Sequence, residues 1–335
     1  AAQLAPIVKL PKKVIIKRLT GSNHFSYVAK RVTLAQWKKI QQLDLVGIYS
    51  EGTTLRVYPA GVLAANLLGA VGDDGHGLQG LEYALDKSLV GTDGTTTIEQ
   101  VKGREIPTSE RHTVEPVNGS SVRLTIDSDL QGVAEQALAQ QVKSANAKSG
   151  EVVIMDPSTG NILAMANYPT FNPNRPQDTK AITKNNRAVS DAFEPGSTGK
   201  AITLAAVVNE GASSATSKYI VPSGLPRGGT TFHDDIPHGV WRLTLAGVLA
   251  KSSNMGTILA AEKIGQKKFL SYMKAFGIGQ LSGLNFPGET GGSLPDPNNP
   301  NQWSDTTFPT LAFGQGYSVS ALQMASVYAT LANNG

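Results

Sequence analysis

Short apolar runs and longer helical stripes divide the chain into two stretches. Up to about residue 120 the runs are brief and separated by turns. Val14-Ile15-Ile16, His24-Phe25-Ser26-Tyr27-Val28 and Thr54-Leu55-Arg56-Val57-Tyr58 predict strands, and Leu34 to Leu43 and Val62 to Leu68 predict short helices. From Ile106 to Ser121 the chain turns polar, with Pro107, Pro116 and Gly119, which places a domain boundary near residue 120. Beyond it, Leu130, Val133, Ala134, Ala137, Leu138 and Val142 share one helical face behind a cap at Ser128 or Asp129. Glu151 to Met155 and Asn161 to Ala166 flank the turn Asp156-Pro157-Ser158-Thr159-Gly160 and predict a hairpin. Ala201 to Val208, Leu243 to Ala250 and Met255 to Ala261 are apolar runs of helical composition. The chain closes on a capping box, Ser320-Ala321-Leu322-Gln323, and a striped helix stopped at Asn333-Asn334-Gly335.

Candidate chemistry sits at the start of one of these runs. In Phe193-Glu194-Pro195-Gly196-Ser197-Thr198-Gly199-Lys200 the Pro-Gly pair is a turn, so Ser197 falls at or just inside a helix N-terminus. Lys200, three residues on, shares its face, with Cβ atoms roughly 5 to 6 Å apart. That gives a serine nucleophile a candidate base. Alone, the pair reads more readily as a capped helix end with a solvated lysine. Further on, Lys251-Ser252-Ser253-Asn254 places a Ser-x-Asn triplet between two apolar segments, where its polar side chains are expected to face a cleft.

Ser-x-x-Lys followed by Ser-x-Asn is a serial signature of penicillin-binding proteins and related lactamases. With Arg56-Val57-Tyr58-Pro59-Ala60-Gly61, Gly80-Leu81-Glu82, Thr125-Ile126-Asp127 and Phe313-Gly314-Gln315-Gly316, it makes the chain resemble the class B penicillin-binding proteins. Within them it is most like the division-specific peptidoglycan D,D-transpeptidases of the penicillin-binding protein 3 type. These stretches run in family order along nearly the whole chain. Two features depart from the pattern: Gly199 and Ala201 stand where valine and proline are more usual, and no Lys-Thr/Ser-Gly follows Asn254.

The resemblance implies an α+β penicillin-recognising serine transpeptidase fold over 121–335, helices packed on an antiparallel sheet, behind an N-terminal α/β pedestal over 1–120. The helix beginning at Ser197 is expected in the core against that sheet. The resemblance also implies septal cross-linking of peptidoglycan through a serine acyl-enzyme. Ser197 is the nucleophile and Lys200 its base; Ser252 relays a proton, and Asn254 holds the substrate amide and Lys200. Partners would be D-Ala-D-Ala stem peptides, β-lactams as covalent inhibitors, and division-complex membrane proteins including a lipid II polymerase. No cofactor or metal is called for. The resemblance further implies a membrane anchor before Ala1, holding the protein on the extracytoplasmic face of the bacterial plasma membrane. Lys-Thr/Ser-Gly would lie on C-terminal strands absent from this chain, so the natural protein is expected to continue past Gly335. An elongation-type transpeptidase, a D,D-carboxypeptidase and a non-catalytic lactam-binding scaffold are the alternatives.

Composition narrows little more. Of 335 residues, 40% are apolar and 17% charged, which suits globular domains. The net charge of +4 lacks a long basic block and gives nucleic-acid binding no support. Zero cysteines excludes disulfides and thiolate metal sites. Three motifs compete with acyl transfer. Gly75-His76-Gly77-Leu78-Gln79-Gly80 spells a dinucleotide fingerprint, but Asp73 and Asp74 before it would repel a pyrophosphate, and a Gly-rich turn before a helix over Leu81 to Leu89 is expected. A phosphate loop at Gly199-Lys200 fails, since it needs glycine at Glu194 and Ser or Thr at Ala201. His233-Asp234-Asp235-Ile236-Pro237-His238 has the composition of a metal cluster, but Pro237 breaks any ligating helix and a solvated loop beside the cleft is expected.

Overall fold

In the computed structural model, residues 1–20, 25–101, 104–105, 110–180 and 184–335 are described. They divide into two compact units, Ala1–Val57 and Tyr58–Gly335.

The first unit is helical. Helices α1 (Leu4–Val8), α2 (Lys12–Leu19) and α3 (Leu34–Gln41) close around Leu4, Ile15 and Ile40, with Trp37 packed against them. The strand expected at Val14-Ile15-Ile16 is therefore a helix. Three apolar residues are too few to fix a period, and the flanking Lys12, Lys13, Lys17, Arg18 and Leu19 are good helix formers. Only Ile15 turns inward; Ile16 is exposed. Helix α3 starts as predicted, behind a Thr33–Gln36 capping box. No strand forms over Phe25–Val28 or Thr54–Tyr58. Phe25, Tyr27, Leu55 and Val57 stay exposed, and alternation without a partner strand makes no ladder. His24 of the first of these, and Ile106 to Ser109 of the predicted boundary, lie outside the described residues.

The second unit opens with α4 (Ala65–Leu68), the hairpin β1 (Ala70–Val71) and β2 (Gly77–Gln79), and the short helices α5 (Gly80–Ala84) and α6 (Asp86–Leu89). One longer helix was expected over the last two. Here Gly77 N–H donates to Asp86 at 2.7 Å, so a carboxylate occupies the turn that a dinucleotide phosphate would need. Two small ladders follow, β3 (Thr95–Thr97) with β6 (His112–Val114) and β4 (Gln100–Val101) with β5 (Arg104–Glu105).

Helix α7 (Ser128–Ser144) lies on the predicted hairpin, β7 (Gly150–Met155) and β8 (Ile162–Tyr168), through Ala134, Leu138 and Val142 against Ala164 and Ala166. Its cap is Asp127, not Ser128 or Asp129. Asp127 has extended backbone and its carboxylate accepts from Asp129 N–H at 3.0 Å and Leu130 N–H at 2.9 Å. The opposite face of the hairpin, at Met165 and Val153, is covered by Ala188 and Val189 of α8 (Arg187–Ser190) and by Leu322.

Helix α9 (Lys200–Asn209) carries the candidate lysine. It is followed by β9 (Lys218–Val221), the ladder β10 (Leu225–Arg227) with β11 (Thr230–Phe232), and β12 (Trp241–Thr244), which pairs with β9. Then come α10 (Leu245–Ala250), α11 (Asn254–Glu262), α12 (Gly265–Ala275), α13 (Thr307–Ala312) and α14 (Ala321–Ala332). Contrary to the expectation that it lies on the hairpin sheet, α9 has α10, α11 and α12 as its main neighbours. The reason is its composition. Ile202, Thr203, Leu204, Ala206 and Val207 are all buried, and a helix apolar nearly all round needs cover on every side. The one-striped α7 takes the hairpin instead.

Candidate active site

The Pro-Gly turn leads not directly into an α-helix but into a 3₁₀ turn, Gly196–Gly199, continuous with α9. A brace from the segment after α13 holds it. Gly196 N–H donates to Gly314 O at 2.8 Å, and Phe193 and Val319 exchange backbone hydrogen bonds of 2.9 Å each. Gly316 N–H donates to the Glu194 carboxylate at 2.9 Å. At Gly314, φ is +96° and a Cβ would come 1.8 Å from Gly196 O, so glycine alone allows this approach. The stretch Phe313-Gly314-Gln315-Gly316, a family mark in the sequence, is in the structure the clamp on the serine turn.

Ser197, Lys200 and Ser252 close a triangle. Lys200 Nζ donates to Ser197 Oγ at 3.1 Å and to Ser252 Oγ at 3.0 Å, and Ser252 Oγ donates to Ser197 Oγ at 2.9 Å. A further bond runs from Lys200 Nζ to the Ser252 carbonyl. Lys200 is 0% exposed, whereas Ser197 is exposed. Burial pushes the Lys200 pKa down, opposed by the nearby charges of Asp235 and Asp234. Ser252 has φ +53°, a left-handed conformation that costs a non-glycine residue about 1 to 2 kcal/mol. The strain directs both its hydroxyl and its carbonyl to the lysine.

Ser253 and Asn254 face elsewhere. Ser253 is the N-cap of α11, accepting from Gly256 N–H at 2.9 Å, and it donates to Asp234 at 2.7 Å. Asn254 Nδ2 donates to His233 O at 3.2 Å and lies 3.5 Å from Asp235 Oδ1. No hydrogen bond joins Asn254 to Lys200 among the described residues, so the expected contact between them is absent; the Ser252 carbonyl and hydroxyl hold the lysine.

The loop His233 to His238 is solvated at His233, Asp235, Ile236 and Pro237, as expected, but two of its side chains turn inward. The Asp234 and His238 side chains are only 4% and 5% exposed and pair at 3.0 Å. Asp234 also accepts from Met255 N–H at 3.0 Å. His238 stacks on Trp241 with ring centroids 3.5 Å apart and 9° between planes. Among the described residues no group of three or more His, Cys, Asp or Glu is placed to hold a metal ion. Asp234, Asp235 and His238 lie in a loop that the sequence sets beside the cleft, but it assigns them no contact with Ser253, Met255 or Asn254. The His238–Asp234 pair is local, but the bonds from Asp234 to Ser253 and Met255 join separate segments, and no local pattern announces those.

An accessible serine hydroxyl bonded to a buried lysine and a second serine, at the mouth of a helical core flanked by antiparallel strands, defines a protein of the penicillin-recognising serine class. Residues 150–335 match the penicillin-binding protein transpeptidase domain and residues 1–124 the penicillin-binding protein dimerisation domain. The chain belongs to the penicillin-binding protein transpeptidase family. It is 40% identical over 326 residues to the penicillin-binding protein PbpB of Mycolicibacterium smegmatis, covering 96% of this chain and 50% of that one. Identity to the peptidoglycan D,D-transpeptidase FtsI of Escherichia coli K12 is 32%, over 99% of this chain and 56% of the relative. Among solved structures, penicillin-binding protein 3 of Mycobacterium tuberculosis in complex with aztreonam superposes with a TM-score of 0.75 at 39% identity, covering 84% of this chain and 59% of that one. A peptidoglycan synthetase from Bifidobacterium adolescentis gives 0.77 at 35%, covering 100% and 60%. The chain thus spans about half the length of the curated relatives it matches. No helix among the described residues is long and apolar enough to cross a membrane.

Proposed function

We propose that this protein is a peptidoglycan D,D-transpeptidase of septal wall synthesis, working through an acyl-enzyme on Ser197. The observation that carries the reading is the hydrogen-bonded triangle of Ser197, Lys200 and Ser252. Ser197 Oγ attacks the carbonyl of the penultimate D-alanine of a stem peptide while neutral Lys200 accepts its proton. The C–N bond breaks, Ser252 relays a proton to the departing D-alanine amine, and the acyl group remains on Ser197. The amine of a second stem peptide then attacks, gives up a proton, and frees Ser197. Asn254, at the start of α11, supplies an amide for the substrate backbone. A β-lactam offers the same carbonyl with a leaving group that stays tethered, so its adduct persists.

The similarity to FtsI, a peptidoglycan D,D-transpeptidase, and to the aztreonam complex supports the peptidoglycan and lactam parts of this reading. The septal role, the anchoring at the extracytoplasmic face and the division-complex partners including a lipid II polymerase rest on the resemblance of the sequence motifs, and the pedestal boundary near residue 120 rests on the polar, proline- and glycine-bearing stretch from Ile106 to Ser121.

Intact-protein mass spectrometry with benzylpenicillin tests it. The expected result is one penicilloyl adduct, mapped to Ser197, retained in Ser253→Ala and lost in Ser197→Ala. No adduct, or one on Ser252 or Ser253, overturns the reading.

A further inference from the structure

The serine turn contains a glycine that its own backbone does not require. Gly199 has φ −68° and ψ −18°, a right-handed conformation open to every residue, and alanine is the better helix former there. A neighbour is what excludes a side chain. A Cβ on Gly199 would lie 2.3 Å from the Tyr317 hydroxyl oxygen, while the next atoms, Gly314 Cα and a Pro195 ring carbon, stand at 3.1 and 3.2 Å. Distances of that second kind are tight but tolerable; the first is a collision.

Tyr317 does not yield easily. It is 2% exposed and packs with Ile202, Val319 and Met324. Val319 is also the residue that brackets Phe193 ahead of the serine turn. The Tyr317 hydroxyl makes no hydrogen bond among the described residues, so its position is set by packing rather than by a polar partner. A second tyrosine, Tyr328 of α14, donates to the Thr198 carbonyl at 3.0 Å. The backbone between Ser197 and Lys200 is therefore held from both Thr198 and Gly199 by the segment that ends the chain.

We infer that Tyr317 is a positioning residue for the nucleophile: its hydroxyl is the stop on which Gly199 rests, and the two form a matched pair that sets the spacing of Ser197 Oγ and Lys200 Nζ. Tyr317 touches no reacting atom in this scheme. It acts through the turn, and the inference rests on Ser197 being the nucleophile.

A double-mutant cycle reads the pair. Benzylpenicillin acylation rates and thermal unfolding are measured for the wild type, Gly199→Ala, Tyr317→Phe and the double variant. Gly199→Ala is expected to acylate about 10²-fold more slowly, as a misplacement of the order of an ångström does. Tyr317→Phe, which removes the stop but keeps the buried ring, should slow acylation by about three- to tenfold, less than Gly199→Ala does. The double variant should recover at least tenfold over Gly199→Ala, a rescue that simple loss of packing would not give. Gly199→Ala at the wild-type rate, an unrescued double variant, or Tyr317→Phe either at the wild-type rate or as slow as Gly199→Ala overturns the inference. Should Gly199→Ala fail to fold, the double variant must fold and acylate, or the pair is refuted. If the wild type takes no lactam, the proposed function fails, and the same cycle in melting temperature still decides the pair.

Discussion

Lys200 gathers the forces of the site into one side chain. Burial lowers its pKa below lysine's usual 10.5, and Asp235 and Asp234 work the other way. Acylation should then rise with pH along a limb whose midpoint lies below 10.5. Asp235→Asn removes a charge that favours the ammonium, so the midpoint should move lower still; an unmoved or raised midpoint would contradict the electrostatics. Lys200→Met should slow acylation by at least ~10²-fold, the usual scale for losing a general base, in a protein that remains folded by circular dichroism. Stability carries the same signature. Between the lowered pKa and about 10.4 the unfolded chain binds more protons than the folded one, so stability should rise with pH through that window. In Lys200→Met that rise should disappear from urea titrations.

At the scale of elements, the entry to α11 is built from two sides. Ser253 caps the helix from within the motif, and Asp234 reaches it from a loop, taking bonds from Ser253, from Met255 N–H and from His238. This fixes the direction in which Ser252 leaves α10, and hence one corner of the triangle. Asp234→Ala strands three buried partners, so a loss of about 3 kcal/mol in urea unfolding is expected, the scale of breaking a buried pair. Slower acylation should accompany it. Ser253→Ala keeps the nucleophile and should still be acylated, with a stability loss of about 1 kcal/mol from the missing cap. Wild-type stability in Asp234→Ala would mean that the loop is an accessory to the helix and not its anchor.

Across the whole molecule, the two compact units meet in sequence at Val57 and Tyr58. Residues 49–57 are exposed throughout and carry no regular structure, the usual profile of a segment open to proteases. Limited proteolysis should cut there first and release a fragment beginning near Tyr58 that still takes benzylpenicillin on Ser197. First cleavage inside Tyr58–Gly335, or a released fragment unable to react, would show that the units do not behave independently.

What the sequence determined by itself was the local chemistry and the long patterns. Ser197 and Lys200 share a helical face by their spacing, the alternation on either side of Asp156 to Gly160 makes a hairpin, and Ser320 with Gln323 makes a cap, because each depends on residues within a few positions of one another. Short runs such as Val14 to Ile16 are ambiguous for the complementary reason: three residues fit either period, and burial of Ile15 against Leu4 and Ile40 selects the helix. Only the tertiary structure decided that Ser252 rather than Asn254 bonds to the lysine, that Asp234 and His238 are buried, and that Gly199 is bare because Tyr317 stands beside it. Each of those facts is a contact between segments distant in sequence, and a packed core, not a local propensity, brings them together.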